Sequence, residues 1–400
     1  MIHMDAETKN CFKRQLLDNL TDCILPYWID KMVDPAGGFY GERDGYDHLV
    51  DGAPKGAILN ARLLWTFSAA YGVTAHAEYL DMSRRAKDYI VDNFIDRQYG
   101  GVYWSLDANG LPLDTKKQFY AIAFTIYALA EYYRVTNDGS ALDEAIALFD
   151  VIESRSRDRA NGGYFEASTR DWKPISDMRL SDKDVNSCKT MNTHLHIIEG
   201  YTALLRVWND ERLREAVRSL LRVFFEHIED AATHHLGLFF DDEWRRVDNA
   251  ISYGHDIEAS WLLLETAQLL GEPDLLDAAL RHTRLIADAA LEGRCFDGSM
   301  IYERHQSGAY DNEKHWWVQA ENVVGQLYLA AYHGREDAVD LAWQSWQYIL
   351  CNLVDYGAGE WYWSRLPDGS VNRADDKAGF WKCPYHNSRM CIEALRLLGD

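Results

Sequence analysis

The sequence predicts an all-α protein: an (α/α)6 barrel of six helical hairpins closed in a ring, with short β-hairpin loops at one end. Three observations carry this expectation. Glycine–aromatic clusters recur about every sixty to seventy-five residues, short polar breaks alternate with them, and the stretches between are periodic like helices.

Residues 6–32, AETKNCFKRQLLDNLTDCILPYWIDKM, read as a lone helical segment ahead of the first cluster, GGFYGE at 37–42. An apolar run then reaches the break YGVTAHAEY at 71–79. GGVYWS at 100–105 opens the second repeat, in which Phe119, Ile122, Ile126, Leu129 and Tyr133 keep one helical face before the break VTNDGSA at 135–141. GGYFEA (162–167) and WNDER (208–212) mark the third repeat, LGLFFDDEW (236–244) and LGEPD (270–274) the fourth. The fifth runs from FDGSMIYE (296–303) through HGRED (333–337), and its ENVVGQLYLAAYHGREDAVDLAWQSWQYIL reads as an αα-hairpin. GAGEWYWS at 357–364 opens a sixth repeat that ends on LLGD (397–400) with no second helix. If the array closes, segment 6–32 supplies that missing helix, whereas an open solenoid would carry polar caps. Residues 1–400 are therefore expected to form one domain.

Composition narrows the function. A net charge of −22 with 41 Lys+Arg against 63 Asp+Glu argues against nucleic-acid partners and anionic membranes, and acidic excess ordinarily keeps a protein soluble. Seven scattered cysteines without a CxxC spacing indicate neither a disulfide framework nor a zinc ribbon. MIHMDAETKNCFKRQL lacks an apolar core of signal-peptide type, so a reduced, cytoplasmic protein is expected, either a monomer or a weak homo-oligomer.

The unusual residues share one phase of the repeat. Arg62 stands ten residues before the turn at Gly72, His196 thirteen before Asn209, and His255 sixteen before Gly271. Glu321 and His386 stand thirteen before Gly334 and Gly399. All five are expected near the start of the first helix of a hairpin, at similar depth, pointing at a common axis. A lone histidine on a helix is ordinarily a satisfied structural group, and the tryptophans of HWWVQAE (315–321) would ordinarily be core. Three histidines, an arginine and several carboxylates in one phase are harder to explain that way.

Three chemistries compete for these residues. Di-iron bundles use Glu-x-x-His, whereas His196/Glu199 and His255/Glu258 have the reverse order, and HExxH is absent; no metal is expected. Glycoside hydrolysis needs two carboxyl groups, for which Glu321 and FDDE at 240–243 are available, but it leaves the histidines without a role. Proton transfer at a carbon next to a carbonyl uses histidines directly, since their pKa lies near neutrality, and inversion needs a second one on the opposite face. Glu258, one turn from His255, is expected to support that imidazole, while Glu199 is expected to serve helix packing or polar support. A guanidinium or third histidine would stabilise the enediolate, and tryptophans would stack on sugar faces.

KGAILNARLLWTFSAAY (55–71), MNTHLHIIEGYTALL (191–205), YGHDIEASWLLLE (253–265), HWWVQAENVVG (315–325) and WKCPYHNSRMCIEAL (381–395) closely resemble the N-acylglucosamine 2-epimerase superfamily. NTHLH and GHDIE are most similar to its cellobiose 2-epimerase branch. The resemblance spans nearly the whole chain and implies an (α/α)6 barrel, no cofactor, and a small sugar as substrate. It implies that His255 and His386 exchange the C2 proton of an opened reducing-end sugar, with His196 near the reacting oxygens. It further implies that Arg62 holds the enediolate and Glu258 supports His255. Tyr120, Asp184 and Asn192 fall where the family contacts hydroxyls, and Trp317 or Trp316, with Trp381, where it stacks on sugars; Glu321 is counted with these substrate contacts. Ile122 stands where a glutamine is expected, and Val318 where a proline is common. Mannose 2-epimerases and aldose–ketose isomerases share the same histidines, and a sugar- or partner-binding barrel without turnover is the further alternative.

Overall fold

The computed structural model describes residue 2 and residues 4–399. Thirteen helices follow one another among them. A first pair, α1 (Ala6–Asp18) and α2 (Leu25–Met32), is joined by a π-helical stretch, Asn19–Ile24. Five hairpins then follow: α3 (Ala57–Thr74) with α4 (Ala77–Tyr89), α5 (Phe119–Thr136) with α6 (Gly139–Arg155), α7 (Met191–Leu205) with α8 (Glu211–Val223), α9 (Tyr253–Leu270) with α10 (Pro273–Ala290), and α11 (Trp316–Tyr332) with α12 (Ala338–Asn352). The last helix is α13 (Tyr385–Leu398).

Helices α3, α5, α7, α9, α11 and α13 each pack on the next, and α13 packs back on α3. That is a closed inner ring. Outside it, α1 packs on α13 and takes the outer place of the sixth hairpin, as the lone N-terminal segment predicts. The fold is an (α/α)6 barrel. Asp400, the last residue of the LLGD stretch, lies outside the described residues.

The two rings differ in sequence for a physical reason. An inner helix has neighbours on both flanks, an outer helix behind it and the hollow in front, so it is apolar nearly all round. In α3 every residue from Ala57 to Ala70 is buried. Outer helices are amphipathic: α8 buries Leu213, Ala216, Val217, Leu220 and Leu221 and leaves Glu211, Glu215 and Arg222 on its other face. Three inner helices end on a left-handed residue that stops the helix, Ala75 (φ 57°), Asn137 (φ 57°) and Gly271 (φ 70°).

The expected β-hairpins are largely something else. The two residues before an inner helix pair with the glycine–aromatic loop of the next repeat: Lys55–Gly56 with Ser105–Leu106, Lys117–Gln118 with Ala167–Ser168, Lys189–Thr190 with Phe239–Phe240, Ile251–Ser252 with Glu303–Arg304, and Lys314–His315 with Ser364–Arg365. A bridge between Arg43 and Ala378 joins the last loop to the first. Hairpin strands are added at Pro112–Asp114 and Tyr310–Asp311, and single bridges close further hairpins at Phe240 with Arg246 and Arg365 with Val371. The loops thus form a second ring above the inner helices.

Buried ion pairs pin that ring. Lys55 meets Asp34 at 2.5 Å, Lys117 meets Asp96 at 2.9 Å, and Lys189 meets Asp158 at 2.8 Å. In the fifth repeat Cys295 holds the aspartate's place after the loop bridge, and the Lys314 ammonium lies 3.3 Å from its sulfur.

Candidate active site

The inner helices begin under the loop ring, so their first two turns line the hollow. Helix register sorts the residues into two layers, where the sequence reading expected one depth. His255 is third in α9, His386 second in α13, and Tyr120, Asn192 and Trp317 are second in α5, α7 and α11. Arg62, His196, Glu258 and Glu321 are all sixth in their helices, one turn or about 5 Å deeper. Counting back from the turns misjudged this because the inner helices differ in length.

In the upper layer, His255 and His386 stand against one indole. The Trp317 ring centroid is 4.7 Å from that of His255 and 5.6 Å from that of His386. Gly254 makes this approach possible, since a Cβ there would sit 2.6 Å from Trp317 Cη2. Trp316 is buried on Trp363 (4.7 Å) under the Lys382 ammonium and meets His386 edge-on at 6.4 Å, without reaching His255. Of the two tryptophans considered, Trp317 faces the imidazoles. Trp381 is half-buried, with its ring 6.0 Å from Tyr120 and 5.9 Å from Trp104. Asn192 is half-buried and its Oδ1 has no hydrogen-bond partner. Asp184 lies on the loop between Ala167–Ser168 and Lys189–Thr190, where it accepts the Ser181 N–H at 2.9 Å, and burial raises its pKa.

The lower layer holds the charges. Arg62, 3 % exposed, donates to the Tyr120 hydroxyl at 2.9 Å and lies over the rings of Phe124 (4.4 Å) and Tyr385 (4.9 Å). Among the described residues it has no carboxylate partner, and its Nε–H is unpaired. A buried guanidinium without a counter-ion is costly and suits an anion bound beside it. The Tyr120 ring also meets the edge of His196 at 4.9 Å.

Of the two His-x-x-Glu motifs, Glu199 gives the polar support expected of it, and Glu258 departs from the role expected of it. His196 donates its Nδ1–H to Glu199 Oε2 at 2.8 Å, so Glu199 is the supporting carboxylate. Glu258 does not take that role for His255, whose Nδ1 lies 2.8 Å from Ser252 Oγ. Glu258 instead accepts from Arg389 at 2.5 Å and lies 3.9 Å from His386 Nδ1. Glu321, expected to touch substrate, is fully buried beneath His386 and accepts its Nδ1–H at 2.7 Å. The reason is Arg389: a buried guanidinium in the lower layer draws Glu199, Glu258 and Glu321 toward itself. The same guanidinium fills the centre of the one cluster of metal-ligand type among the described residues, Glu258–Glu321–His386. Both glutamates of this set already meet the Arg389 cation.

Arg389, Tyr385 and Ser252 were not singled out from the sequence. Arg389 carried a signal, being three residues after His386 and hence on its face. Ser252 carried none, because it lies in the strand before α9.

Burial sets the protonation states. The pKa values of His255, His386 and His196 are all held below the usual histidine range. Desolvation of the imidazolium is the first cause for each; neighbouring His196 adds to it at His255, and Arg62 and Arg389 add to it at His386. Glu258 is pushed up to about 8, by burial and then by the neighbouring Glu321 carboxylate. The site at rest is three neutral imidazoles, an uncharged Glu258, and an unpaired guanidinium beside them.

The hollow of the helical barrel thus holds three neutral imidazoles and, among the described residues, a guanidinium that no carboxylate neutralises. A sequence model of the N-acylglucosamine 2-epimerase (GlcNAc 2-epimerase) family matches residues 38–389, and the chain belongs to that family. It is 54 % identical over 385 residues to a cellobiose 2-epimerase of Bacteroides fragilis, covering 96 % of this chain and 98 % of the relative. A cellobiose 2-epimerase of Ruminococcus albus is 38 % identical over 388 residues, with 95 % and 97 % covered. The solved cellobiose 2-epimerase from Bacillus thermoamylovorans superimposes with a TM-score of 0.92 at 38 % identity, covering 97 % of this chain and 99 % of that one.

Proposed function

We propose that this protein reversibly epimerises the reducing-end glucose of a β-1,4-linked disaccharide, cellobiose, at C2. The observation that carries the chemistry is the shared contact of His255 and His386 with the Trp317 indole. That contact places two acid–base groups, from helices on either side of α11, around a surface on which a sugar can stack. The 54 % identity to a cellobiose 2-epimerase supports the choice of substrate.

The sugar binds in its opened form, with Trp317 and Trp381 against its apolar faces. One neutral imidazole takes the C2 proton, and the electron pair moves into the carbonyl to give a cis-enediolate. The Arg62 guanidinium faces that negative charge, preorganised because nothing else neutralises it. The second imidazole, having taken a proton from water on its Nε2, gives it to C2 from the opposite side, which inverts the centre, and the first imidazolium releases its proton to water. His196, held by Glu199, serves the reacting oxygens through its Nε2.

Incubation with cellobiose in heavy water tests this. The expected product is 4-O-β-D-glucosyl-D-mannose carrying deuterium at C2; an unlabelled product would sink the proton-transfer mechanism. Parallel incubations with mannose and N-acetylglucosamine test the substrate, and turnover of either in place of cellobiose would refute it.

A further inference from the structure

Arg389 has no catalytic role in the scheme above, yet it holds three glutamates beneath the hollow. It is 1 % exposed and its guanidinium is sandwiched between the Trp261 ring (4.7 Å) and the Tyr385 ring (4.3 Å). One amino group donates to Glu199 Oε1 and to the Tyr385 hydroxyl. The other donates to Glu258 Oε1 at 2.5 Å and to Glu321 Oε1 at 2.7 Å. Three helices of the ring, α7, α9 and α11, therefore each send one glutamate to a single cation on a fourth, α13.

Two of those glutamates are the groups that hold histidines. Glu199 accepts the Nδ1–H of His196 and Glu321 accepts that of His386. A carboxylate can only accept, so each fixes the Nδ1–H tautomer and leaves a bare Nε2. Glu321 Oε1 receives Arg389 and His386 on the same atom, so displacing one shifts the other.

We propose that Arg389 is a positioning residue that sets the tautomer and aim of His196 and His386 together, making two distant acid–base groups a single coupled unit. His255 stands outside this unit, since its Nδ1 is opposed by the Ser252 hydroxyl, which can donate or accept. The inference rests on the proposed function for its meaning in catalysis, but its deciding readout, the histidine tautomers, requires no sugar.

The test is the nitrogen-15 spectrum of the histidine rings in protein labelled on histidine, which separates Nδ1–H from Nε2–H tautomers. In Arg389→Lys a point-charge ammonium cannot hold all three glutamates at once. The His196 and His386 signals should both leave the pure Nδ1–H pattern while His255 stays unchanged, and kcat should fall about 10- to 100-fold with little change in KM. Unchanged signals, or a change in only one of the two, would overturn the proposal. Should that variant not fold, Glu199→Gln decides: a coupled unit transmits the change through Arg389 to His386, whereas independent pairs alter His196 alone. A failed cellobiose assay with coupled histidine signals would refute the substrate and leave the coupling standing.

Discussion

His386 donates its Nδ1–H to Glu321 Oε1 at 2.7 Å, and Glu321 is wholly buried beneath it. The carboxylate therefore acts through the imidazole and cannot reach the sugar. Glu321→Gln keeps the shape and an acceptor for the Trp261 Nε1–H, but an amide can also present a donor to Nδ1 and lose the fixed tautomer. We expect kcat to fall about 10- to 100-fold with KM nearly constant. A large rise in KM at constant kcat would show a substrate contact instead.

Among the described residues, the hydrogen-bond partner of the His255 ring is Ser252 Oγ, at 2.8 Å. One neutral hydrogen bond is worth about 0.5–1.5 kcal/mol net. Ser252→Ala should accordingly lower kcat only about 2- to 10-fold, with deuterium still entering at C2. Steady-state kinetics on the variant check this, and a loss as severe as that of His255→Ala would contradict it.

Gly254 lets the Trp317 ring lie where a side chain would otherwise stand, with a Cβ only 2.6 Å from Cη2. Gly254→Ala must push the indole off both histidines. Misplacement on the ångström scale is expected to lower kcat/KM roughly 10- to 100-fold. The melting temperature tells this apart from simple unfolding, and unaltered kinetics would show that the indole does not position the sugar.

Two opposite pH effects are built into the core. The three histidines have folded-state pKa values below their usual value, so the stability they contribute is present above about pH 6.5 and is lost as pH falls below it. The acid limb of kcat/KM should then lie below about pH 6.5, and a limb above that value would refute neutral, buried bases. Glu258 is raised, so its contribution is full below about pH 4.3 and is lost as pH rises toward about 8. Glu258→Gln should flatten the fall in denaturation midpoint between about pH 5 and 8.

Ala75 ends α3 with φ at 57°, where an L side chain is strained and the equivalent residue after α9 is Gly271. Ala75→Gly removes that strain but adds freedom to the unfolded chain, for a net gain of about 0.5–1 kcal/mol. Calorimetry should show a melting temperature higher by about 1–2 °C. A lower one would mean that the Ala75 methyl makes contacts worth more than its strain.

The repeat, the closure of the ring and the histidines were legible in the chain because each leaves a periodic mark. Inner helices must be apolar on every side and outer helices on one, so six hairpins write themselves as alternating patterns between glycine-marked loops. Residues that line the hollow recur within the first two turns of the inner helices, which is how Arg62, His196, His255 and His386 stood out. Partnership left no such mark. His196/Glu199 and His255/Glu258 have the same spacing, yet only the first pair bonds, because Ser252 and Arg389 compete for the members of the second. Which carboxylate meets which cation in a low-dielectric core depends on all the charges that arrive there. Four helices deliver them from positions up to 190 residues apart, and only the closed barrel brings them together.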